Sequence, residues 1–294
     1  MPRNDRWAGD DDRSGRSGRL RCIDLRRLDP LLRHRSVDEP ELMDDPACDP
    51  VALDNTYRLF GVINPLVASW WPVYRRYVRP ALRAAARDGR PGTVLDIGCG
   101  GGDVARAITR WATRDGLDAR ITGIDPDARA TRWAAAHDRG VGITYRTLAS
   151  HDLVAAGERY DAVISNHMLH HLTREELSAV LADSRRLTRG VAVHNDLRRS
   201  RTAWLLYWVA TLPLARARVF VRFDGLLSIR RSYRPGELRQ ALPPGWRAVQ
   251  QRFFRLLAVH TGQDAEPVRA DRADRDQVDT PQQDRTQSDP GRTS

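Results

Sequence analysis

Short apolar runs and segments of helical periodicity alternate through the middle of the chain. The run Thr93–Ile97 stops at a group of glycines, and apolar residues then recur at Val104, Ile108 and Trp111, the spacing of one helix face. The runs ITGID, ITYRT, YDAVIS and VAVHN follow, with helical patterns before the second and the fourth. Strands that alternate with helices predict an α/β fold, in which helices cover both faces of a parallel sheet.

Helical and antiparallel segments flank this region. WRAVQQRFF and RLLAVH have no helix between them, so they predict an antiparallel pair at the sheet edge. Before the sheet, residues 51–86 read as two or three helices rich in Tyr and Trp, and a long excursion rich in Arg and aromatic residues follows VAVHN. We predict a helical cap over residues 39–90 and a domain over residues 91–262, with a lid insertion near residues 197–233.

The two ends of the chain differ in composition from its centre. Residues 1–38 are rich in Arg, Asp, Gly and Ser, and residues 263–294 are polar without an apolar period, so both are predicted to be disordered. Met43 opens a plausible folded start, which leaves an over-extended start codon as an alternative.

Charge and cysteine content constrain the function class only weakly. All 48 basic residues are arginine and the net charge is +10, which permits binding to RNA or an anionic membrane but does not require it. The cysteines Cys22, Cys48 and Cys99 lie too far apart for a disulfide framework or a zinc motif, so we expect a cytoplasmic protein. The longest apolar run, Ala203–Ala215, is too short to span a bilayer and contains Pro213, which leaves peripheral membrane contact as an alternative.

A glycine-rich loop follows the first predicted strand. DIGCGGGD contains Asp96, Gly98, Gly100 and Gly102, and glycine permits a sharp turn and the close approach of a ligand to the backbone. Asp103 stands where the dinucleotide motif G-x-G-x-x-G has its third glycine. Because this carboxylate would repel a pyrophosphate, NAD and FAD are disfavoured and a cofactor with a cationic or zwitterionic end fits better.

An acidic residue ends the second predicted strand, in GIDPDA. Asp125 stands where a carboxylate accepts hydrogen bonds from both ribose hydroxyls of an adenosine. The alternative is a helix-capping aspartate, with Pro126 in the first helical position.

Three stretches of the chain resemble the class I S-adenosylmethionine-dependent methyltransferases. VLDIGCGGGDVA, ITGIDPDARA and YDAVISNHMLHHL carry this resemblance, which extends over about Thr93 to His260. It implies a Rossmann-like, seven-stranded methyltransferase sheet and S-adenosyl-L-methionine as cofactor.

The resemblance also assigns residues to the parts of the cofactor. The glycine loop is expected to wrap the methionine part, with Asp96 ordering the loop and the methionine amino group, and Asp125 is expected to hold the ribose. The remaining expected cofactor contacts are Pro126 and Asp127 against the adenine, either Ser150 or Asp152 at the adenine amino group, and Asn166 beside the sulfonium.

A narrower resemblance concerns ELMDDPACDPVALDNTYRLFGVINPLV and FDGLLSIRRSY. These segments resemble actinobacterial small-molecule methyltransferases that often accompany type III polyketide synthases, which implies phenolic lipids or quinones as acceptors in secondary metabolism. The long Arg/Asp-rich ends depart from that pattern.

The segment SNHMLHHL holds three histidines in the connection after the fourth strand. Thr173 and Glu176 have capping-box spacing, which predicts that a helix begins after Thr173 and leaves His167, His170 and His171 in the loop before it. No nearby cysteine or paired carboxylate completes a metal site, so we predict no metal.

One of the histidines is a candidate general base for a phenol, because histidine titrates in the useful range. The candidates are His167, His171 and His194, with His171 or His194 preferred and Asp196 as an orienting partner. The sequence does not separate O-methylation from C-methylation.

The Trp- and Tyr-rich cap and the excursion after the fifth strand favour a lipophilic aromatic acceptor, such as a phenol, a quinone or a polyketide-like molecule. Core packing of these aromatic residues is the alternative. An RNA-directed methyltransferase is a second alternative, although SNHM lacks the Asn/Asp-Pro-Pro-aromatic motif of enzymes that methylate base amines. A non-catalytic interaction protein that binds the cofactor is a third.

Overall fold

The computed structural model describes residues 32–262, and a seven-stranded sheet runs through its centre in the order β3-β2-β1-β4-β5-β7-β6. The strands are β1 Gly92–Ile97, β2 Ala119–Ile124, β3 Thr144–Arg146, β4 Tyr160–Asn166, β5 Thr188–Leu197, β6 Trp246–Gln251 and β7 Arg255–Thr261. Strands β1 to β5 are parallel, and β7 is antiparallel to both of its neighbours. The predicted parallel sheet and antiparallel edge pair are confirmed.

Helices connect the strands and cover the sheet. They are α1 Pro50–Val67, α2 Trp70–Val73, a π-helical segment Tyr74–Val78, α3 Arg79–Arg87, α4 Asp103–Arg114, α5 Ala128–Ala136, α6 Ser150–Ala155, α7 Arg174–Leu187, α8 Arg201–Ala210, α9 Val221–Arg231 and α10 Pro235–Ala241, with 3-10 turns at Leu42–Asp44 and Leu212–Arg216. The sequence analysis did not predict α6 and α10, which are short.

The direction of strand succession reverses between β1 and β4. From β1 the chain builds outward to β2 and β3, and it then returns to the other side of β1 to add β4 and β5. The loops after β1 and β4 therefore leave the sheet in opposite directions and open a crevice at their carboxyl ends. Every predicted cofactor residue lies in or near a loop at this edge.

Two apolar layers hold the helices against the sheet. Val94, Ile121 and Ile164 face one layer, and Leu95, Val163 and Ala192 face the other, as the alternation of side chains along a strand requires. Because both faces of the strands are covered, β4 is buried along almost its whole length, and its polar residues Asp161 and Ser165 form hydrogen bonds with Arg90, Thr93 and His194.

Most aromatic residues of the predicted cap belong to the core. Trp70, Tyr74 and Tyr77 are at most 3% exposed and pack on one face of the sheet. Trp71 packs against Tyr74 and against Trp111 of α4, with ring centroids 5.7 and 5.3 Å apart. For these four residues the core-packing alternative is confirmed, and of the cap helices α1 is the one that reaches the crevice, with Tyr57 and Phe60.

The ordered chain starts earlier than predicted. Leu32 is 1% exposed, and the Arg35 guanidinium lies 3.8 Å from the ring centroid of Tyr233, so residues 32–38 are not a disordered extension. These contacts precede Met43. The rest of the predicted extension, residues 1–31, and the predicted tail, residues 263–294, lie outside the described part of the chain.

The predicted lid insertion corresponds to α8, the following 3-10 turn and α9. Within residues 32–262, none of the helices combines the length and the apolar character that a membrane crossing requires.

Candidate active site

A single cavity of about 720 Å³ occupies the crevice at the carboxyl ends of β1, β2 and β4. One end is lined by the glycine loop and the residues after β2. The other is closed by α1, α8, α9 and the turn before β7. The cavity therefore joins a polar end at the strand termini to an apolar end beneath the lid.

The glycine loop adopts the backbone conformation for which glycine is suited. Gly98, Gly100 and Gly102 have φ values of 65°, 50° and 73°. At Gly102 a Cβ would lie 2.4 Å from the Tyr145 hydroxyl oxygen, whereas at Gly100 it would meet nothing within 4 Å. Gly98 and Gly100 line the cavity, while Gly102 lies outside the lining and packs against Tyr145 where α4 begins.

The Asp125 carboxylate links the end of β2 to the glycine loop. Its oxygens accept hydrogen bonds from the Gly100 backbone N–H at 3.0 Å and the Asp127 backbone N–H at 2.9 Å. Burial raises the pKa of Asp125, and the two backbone donors oppose this shift. The helix cap is Asp127, which accepts from the Arg129 backbone N–H, so the capping alternative for Asp125 is wrong.

Asp96 forms the floor of the polar end. Its side chain is almost fully buried, and neither carboxylate oxygen accepts a hydrogen bond from the described residues. Burial, followed by the negative charges of Asp103 and Asp125, raises the pKa of Asp96 well above its usual value. Buried acceptors without donors beside a glycine loop fit a ligand that brings a cationic amino group.

The remaining predicted cofactor residues divide between the cavity and its surroundings. Pro126, Ser150 and Asn166 line the cavity. The Ser150 hydroxyl donates to Asp183 Oδ2 at 2.7 Å, while Asp152 caps α6 by accepting from the Ala149 backbone N–H and does not line the cavity. Of the two alternatives for the adenine contact, Ser150 is the one whose position fits.

His167 is tied to a buried arginine. It has a positive φ of 56°, and its Nε2 pairs with the Arg255 guanidinium, which also donates to Asn166 Oδ1 at 2.8 Å and Asn195 Oδ1 at 2.9 Å. Burial and then the charge of Arg255 hold the pKa of His167 well below its usual value. An imidazole nitrogen that already accepts a guanidinium hydrogen does not suit a general base, so this prediction for His167 is wrong.

His194 points away from the cavity. Its ring stacks on Trp246 with centroids 5.3 Å apart, and its Nδ1 pairs with the Ser165 hydroxyl at 2.8 Å. Burial lowers the pKa of His194 to about 3. Alternation along β5 places Val193 on one face of the sheet and His194 on the other, so His194 is not a candidate base.

Asp196 orients His170, although it was predicted as the orienting partner of His171 or His194. Its Oδ1 lies 2.7 Å from His170 Nδ1, and its Oδ2 accepts from the His170 backbone N–H at 2.8 Å. Burial opposes a charge on His170, but Asp196 and then Glu41 outweigh it and raise the pKa of His170 to about 9. His170 therefore belongs to a buried, charged network.

His171 is the predicted base candidate that remains at the cavity. Its Nδ1 lies 3.1 Å from Asp44 Oδ2 and its Nε2 lies 3.7 Å from Glu41 Oε2.

The predicted capping box at the start of α7 is confirmed, because the Thr173 and Glu176 side chains each accept a hydrogen bond from the backbone N–H of the other residue.

Sequence reasoning missed Glu41 and Arg255. Both are buried, and each reaches the histidine loop from a distant part of the chain. Glu41 begins the segment of the narrower resemblance, which gave this residue no role, and Arg255 stands in no motif. A lone buried charge has no local sequence signal.

The opposite end of the cavity is mainly apolar. It is lined by Tyr57, Phe60, Leu197, Leu206, Tyr207, Val221, Ile229, Phe253 and Phe254. Tyr207 reaches across the lid, where its hydroxyl donates to the Val221 carbonyl oxygen at 2.6 Å, so α8 and the start of α9 are connected.

Comparisons with known proteins agree with this architecture. Residues 94–190 match the protein family described as "Methyltransferase domain". The ubiquinone biosynthesis O-methyltransferase of Methylobacterium sp. (strain 4-46) is 34% identical over 131 residues, which cover 36% of this chain and 49% of that protein. The enzyme of the same name from Rhizobium leguminosarum bv. trifolii (strain WSM2304) is 29% identical over 135 residues, covering 38% and 51%.

The chain thus spans about half the length of the curated relatives it matches. Among solved structures, the plantazolicin methyltransferase BpumL in complex with SAH superimposes with a TM-score of 0.54 at 13% identity, covering 81% of this chain and 98% of that chain. The segment that matches the methyltransferase family, residues 94–190, contains the glycine loop, Asp125 and the three histidines after β4, and the superposition shows that the chain shares the fold of that solved methyltransferase.

Proposed function

We propose that this chain transfers a methyl group from S-adenosylmethionine to a small lipophilic aromatic acceptor, at an oxygen or a carbon atom. The observation that carries the proposal is the continuity of one cavity from Asp96 and Asp125 to the apolar wall beneath the lid. A protein that only bound the cofactor would have no need for this second, apolar compartment. Such a compartment, with a few polar groups at one end, is typical of small-molecule sites.

The polar end supplies the groups that the cofactor requires. The Asp125 carboxylate would accept the ribose hydroxyls, since its two backbone donors fix its orientation. Asp96 would accept the amino group, because its oxygens are buried without donors. Pro126 and Ser150 border the space for the adenine, and Asn166 borders the reacting end.

When bound, S-adenosylmethionine supplies a methyl group that is already activated by its sulfonium, so the protein's task is mainly one of positioning. As the acceptor oxygen forms its bond to the methyl carbon, the carbon–sulfur bond breaks and the acceptor loses its proton. His171 lines the acceptor side and is the histidine that remains suited to assist this proton loss. A carbon beside a phenol would need the same help.

The relatives support an aromatic acceptor and an oxygen nucleophile. The two that we compare are named ubiquinone biosynthesis O-methyltransferases. We extend the proposal to the phenolic or quinone products of type III polyketide synthases, on the resemblance of FDGLLSIRRSY and the segment before α2. An RNA acceptor is disfavoured because the acceptor end of the cavity is walled by aromatic and aliphatic side chains rather than arginines.

Calorimetric titration of the full chain with S-adenosylmethionine and S-adenosylhomocysteine tests the cofactor site. We expect Asp125→Ala to weaken binding by roughly 150- to 25,000-fold, since it removes two charge-assisted hydrogen bonds worth about 1.5–3 kcal/mol each. The matched control is Asp118→Ala at an exposed position near β2. Transfer of labelled methyl groups to a panel of phenols and quinones then tests the acceptor.

Two results would contradict the proposal. Equal affinity of the wild-type and Asp125→Ala proteins would remove the assigned cofactor site. Tight cofactor binding without transfer to any phenol or quinone, but with transfer to RNA, would replace the acceptor class.

A further inference from the structure

Glu41, His170 and His171 form a cluster at the wall of the cavity. One side-chain oxygen or nitrogen from each residue lies within 4.8 Å of those of the other two. Glu41 and His170 are almost fully buried, and the side chain of His171 is 28% exposed. All three line the cavity.

Each imidazole is held by an aspartate through the same nitrogen. His170 Nδ1 pairs with Asp196 Oδ1 at 2.7 Å, and His171 Nδ1 pairs with Asp44 Oδ2 at 3.1 Å. A carboxylate at Nδ1 fixes one proton there. A bound ion would take the place of the proton that the charged His170 carries at Nε2, so that both rings would present a lone pair at this atom, the arrangement that metal-binding histidines use.

Both Nε2 atoms face the same carboxylate. His170 Nε2 lies 3.4 Å from Glu41 Oε1, and His171 Nε2 lies 3.7 Å from Glu41 Oε2. Two ligands of a tetrahedral zinc ion, with bonds of about 2.1 Å, are separated by about 3.4 Å. The two distances match this value but involve different oxygens of Glu41. One ligand atom from each of the three residues lies within 4.8 Å of the others, so the side chains would have to close in by up to about 1.4 Å around an ion.

His170 Nε2 is an independent indication of a ligand. This atom is buried and makes no hydrogen bond within the described residues, although the residue is only 1% exposed. The Glu41 carboxylate faces this nitrogen at 3.4 Å without forming a hydrogen bond, and an ion bound between the two would give the buried nitrogen the bond that it lacks.

The surrounding chain holds the cluster in place. The Ser228 hydroxyl donates to Glu41 Oε1 at 2.7 Å, which fixes the carboxylate. The Arg231 guanidinium donates to the carbonyl oxygens of His170 at 3.3 Å and His171 at 3.2 Å. The histidine loop is thus clamped to α9 through its backbone, and the side chains stay free to act as ligands.

We propose that Glu41, His170 and His171 bind a divalent first-row transition-metal ion, such as Zn²⁺, with one coordination position open to the cavity. Two imidazoles and one carboxylate suit such ions, and three protein ligands with an open position are typical of catalytic rather than structural sites. The sequence analysis predicted no metal because the carboxylate comes from the segment before α1, far from the histidines in sequence.

The open position lies on the acceptor side of the cavity. An oxygen of the acceptor that binds there would lose its proton more readily, because a metal ion stabilises the oxyanion. With the ion bound, this effect would replace proton removal by His171, whose Nε2 would then be a ligand and whose Nδ1 is held by Asp44. This role rests on the proposed function, whereas metal binding itself does not.

Cobalt binding to the full chain tests the site. After dialysis against a chelator, we expect Co²⁺ to give the visible ligand-field absorption of a four-coordinate ion, to saturate at one ion per chain and to be displaced by Zn²⁺. His171→Ala and Glu41→Gln are expected to weaken binding by at least about 100-fold, and Asp44→Ala by about 10- to 100-fold. The control His151→Ala, with a side chain 75% exposed, should match the wild type.

Absence of the visible band in the folded wild-type protein, or equal Co²⁺ affinity in the wild-type and His171→Ala proteins, would overturn the proposal and leave an ion-paired cluster. The partly exposed positions of His171 and Asp44 keep the test usable if Glu41→Gln fails to fold. Titration of the same samples with S-adenosylmethionine separates the two proposals, since cofactor binding at Asp125 is expected to survive these substitutions.

Discussion

Substitution of Asp96, at the end of β1, is expected to change ligand binding and folding stability in opposite directions. Its oxygens accept no hydrogen bond within the described residues, and Asp103 and Asp125 face it with negative charge, beside the Cys99 thiol. When ionised, this carboxylate destabilises the ligand-free protein, because it has lost water and gained like charges. We therefore expect Asp96→Asn, which keeps the shape and removes the charge, to stabilise the ligand-free protein.

The size of the effect follows from the removed charge, since Asn is also polar and also lacks partners there. A buried group without a partner costs more when it is charged than when it is neutral, and we expect this difference to give a gain of about 1–3 kcal/mol at pH 8. For a domain of this size it corresponds to a rise in Tm of roughly 2–12 °C.

The sign of the pH dependence is fixed by the direction of the pKa shift. Because the pKa of Asp96 is raised in the folded protein, the unfolded chain releases this proton first as the pH rises. The advantage of Asp96→Asn should therefore be absent below about pH 4, the ordinary range of an aspartate. It should grow with pH until the folded-state carboxyl has ionised.

Binding should change in the opposite direction. Loss of a charge-assisted hydrogen bond to the amino group of S-adenosylmethionine costs about 1.5–3 kcal/mol, or roughly 10- to 150-fold in affinity. Calorimetric melting with and without ligand measures both effects, and Asp118→Asn is the exposed control. The reasoning is refuted if Asp96→Asn lowers the Tm of the ligand-free protein or binds the ligand as tightly as the wild type.

Three further predictions concern the loop, the buried cation and the lid. Gly102→Ala should lower the free energy of unfolding by about 1–3 kcal/mol in chemical denaturation, because the new Cβ would clash with Tyr145 at a residue whose φ is positive. Gly100→Ala should lower it less, because nothing lies within 4 Å of a Cβ at that position. Arg255→Met should cost about 3–5 kcal/mol in the same assay, since it leaves the acceptors of the guanidinium buried without a donor, and unchanged stability would contradict this. Phe223 is 55% exposed on the lid, so Phe223→Ser should change the free energy of unfolding by no more than about 0.5 kcal/mol, and a clearly larger loss in the same assay would contradict its surface position.

Most of the fold could be predicted from the sequence because its signals are local. Apolar runs that end at glycine or aspartate mark the buried strands, and the capping box at Thr173 marks the start of α7. The polar end of the cavity was also predictable, since Asp96 and Asp125 follow consecutive strands and parallel strands end at the same edge. Short helices such as α6 have too few residues for a periodic pattern.

The chemistry of the histidines could not be predicted in the same way. His194 and Asp196 are two residues apart and share one face of β5, so the difference between them comes from partners in other segments of the chain. Glu41 reaches His170 from before α1, and Arg255 reaches His167 from β7. Contacts of this kind depend on tertiary packing, for which the composition of a single segment carries no signal.

The position of Arg255 at the start of the last strand has a consequence for biosynthesis. A ribosome releases β7 after every other strand of the sheet, and Arg255 then reaches back to Asn166 and His167 at the end of β4. Until β7 has emerged, the edge of β5 that pairs with it is unpaired, and Asn166 and His167 lack the Arg255 guanidinium. The nascent domain can therefore assemble its cofactor loop early, but its reacting end is completed only when the C-terminal hairpin has emerged.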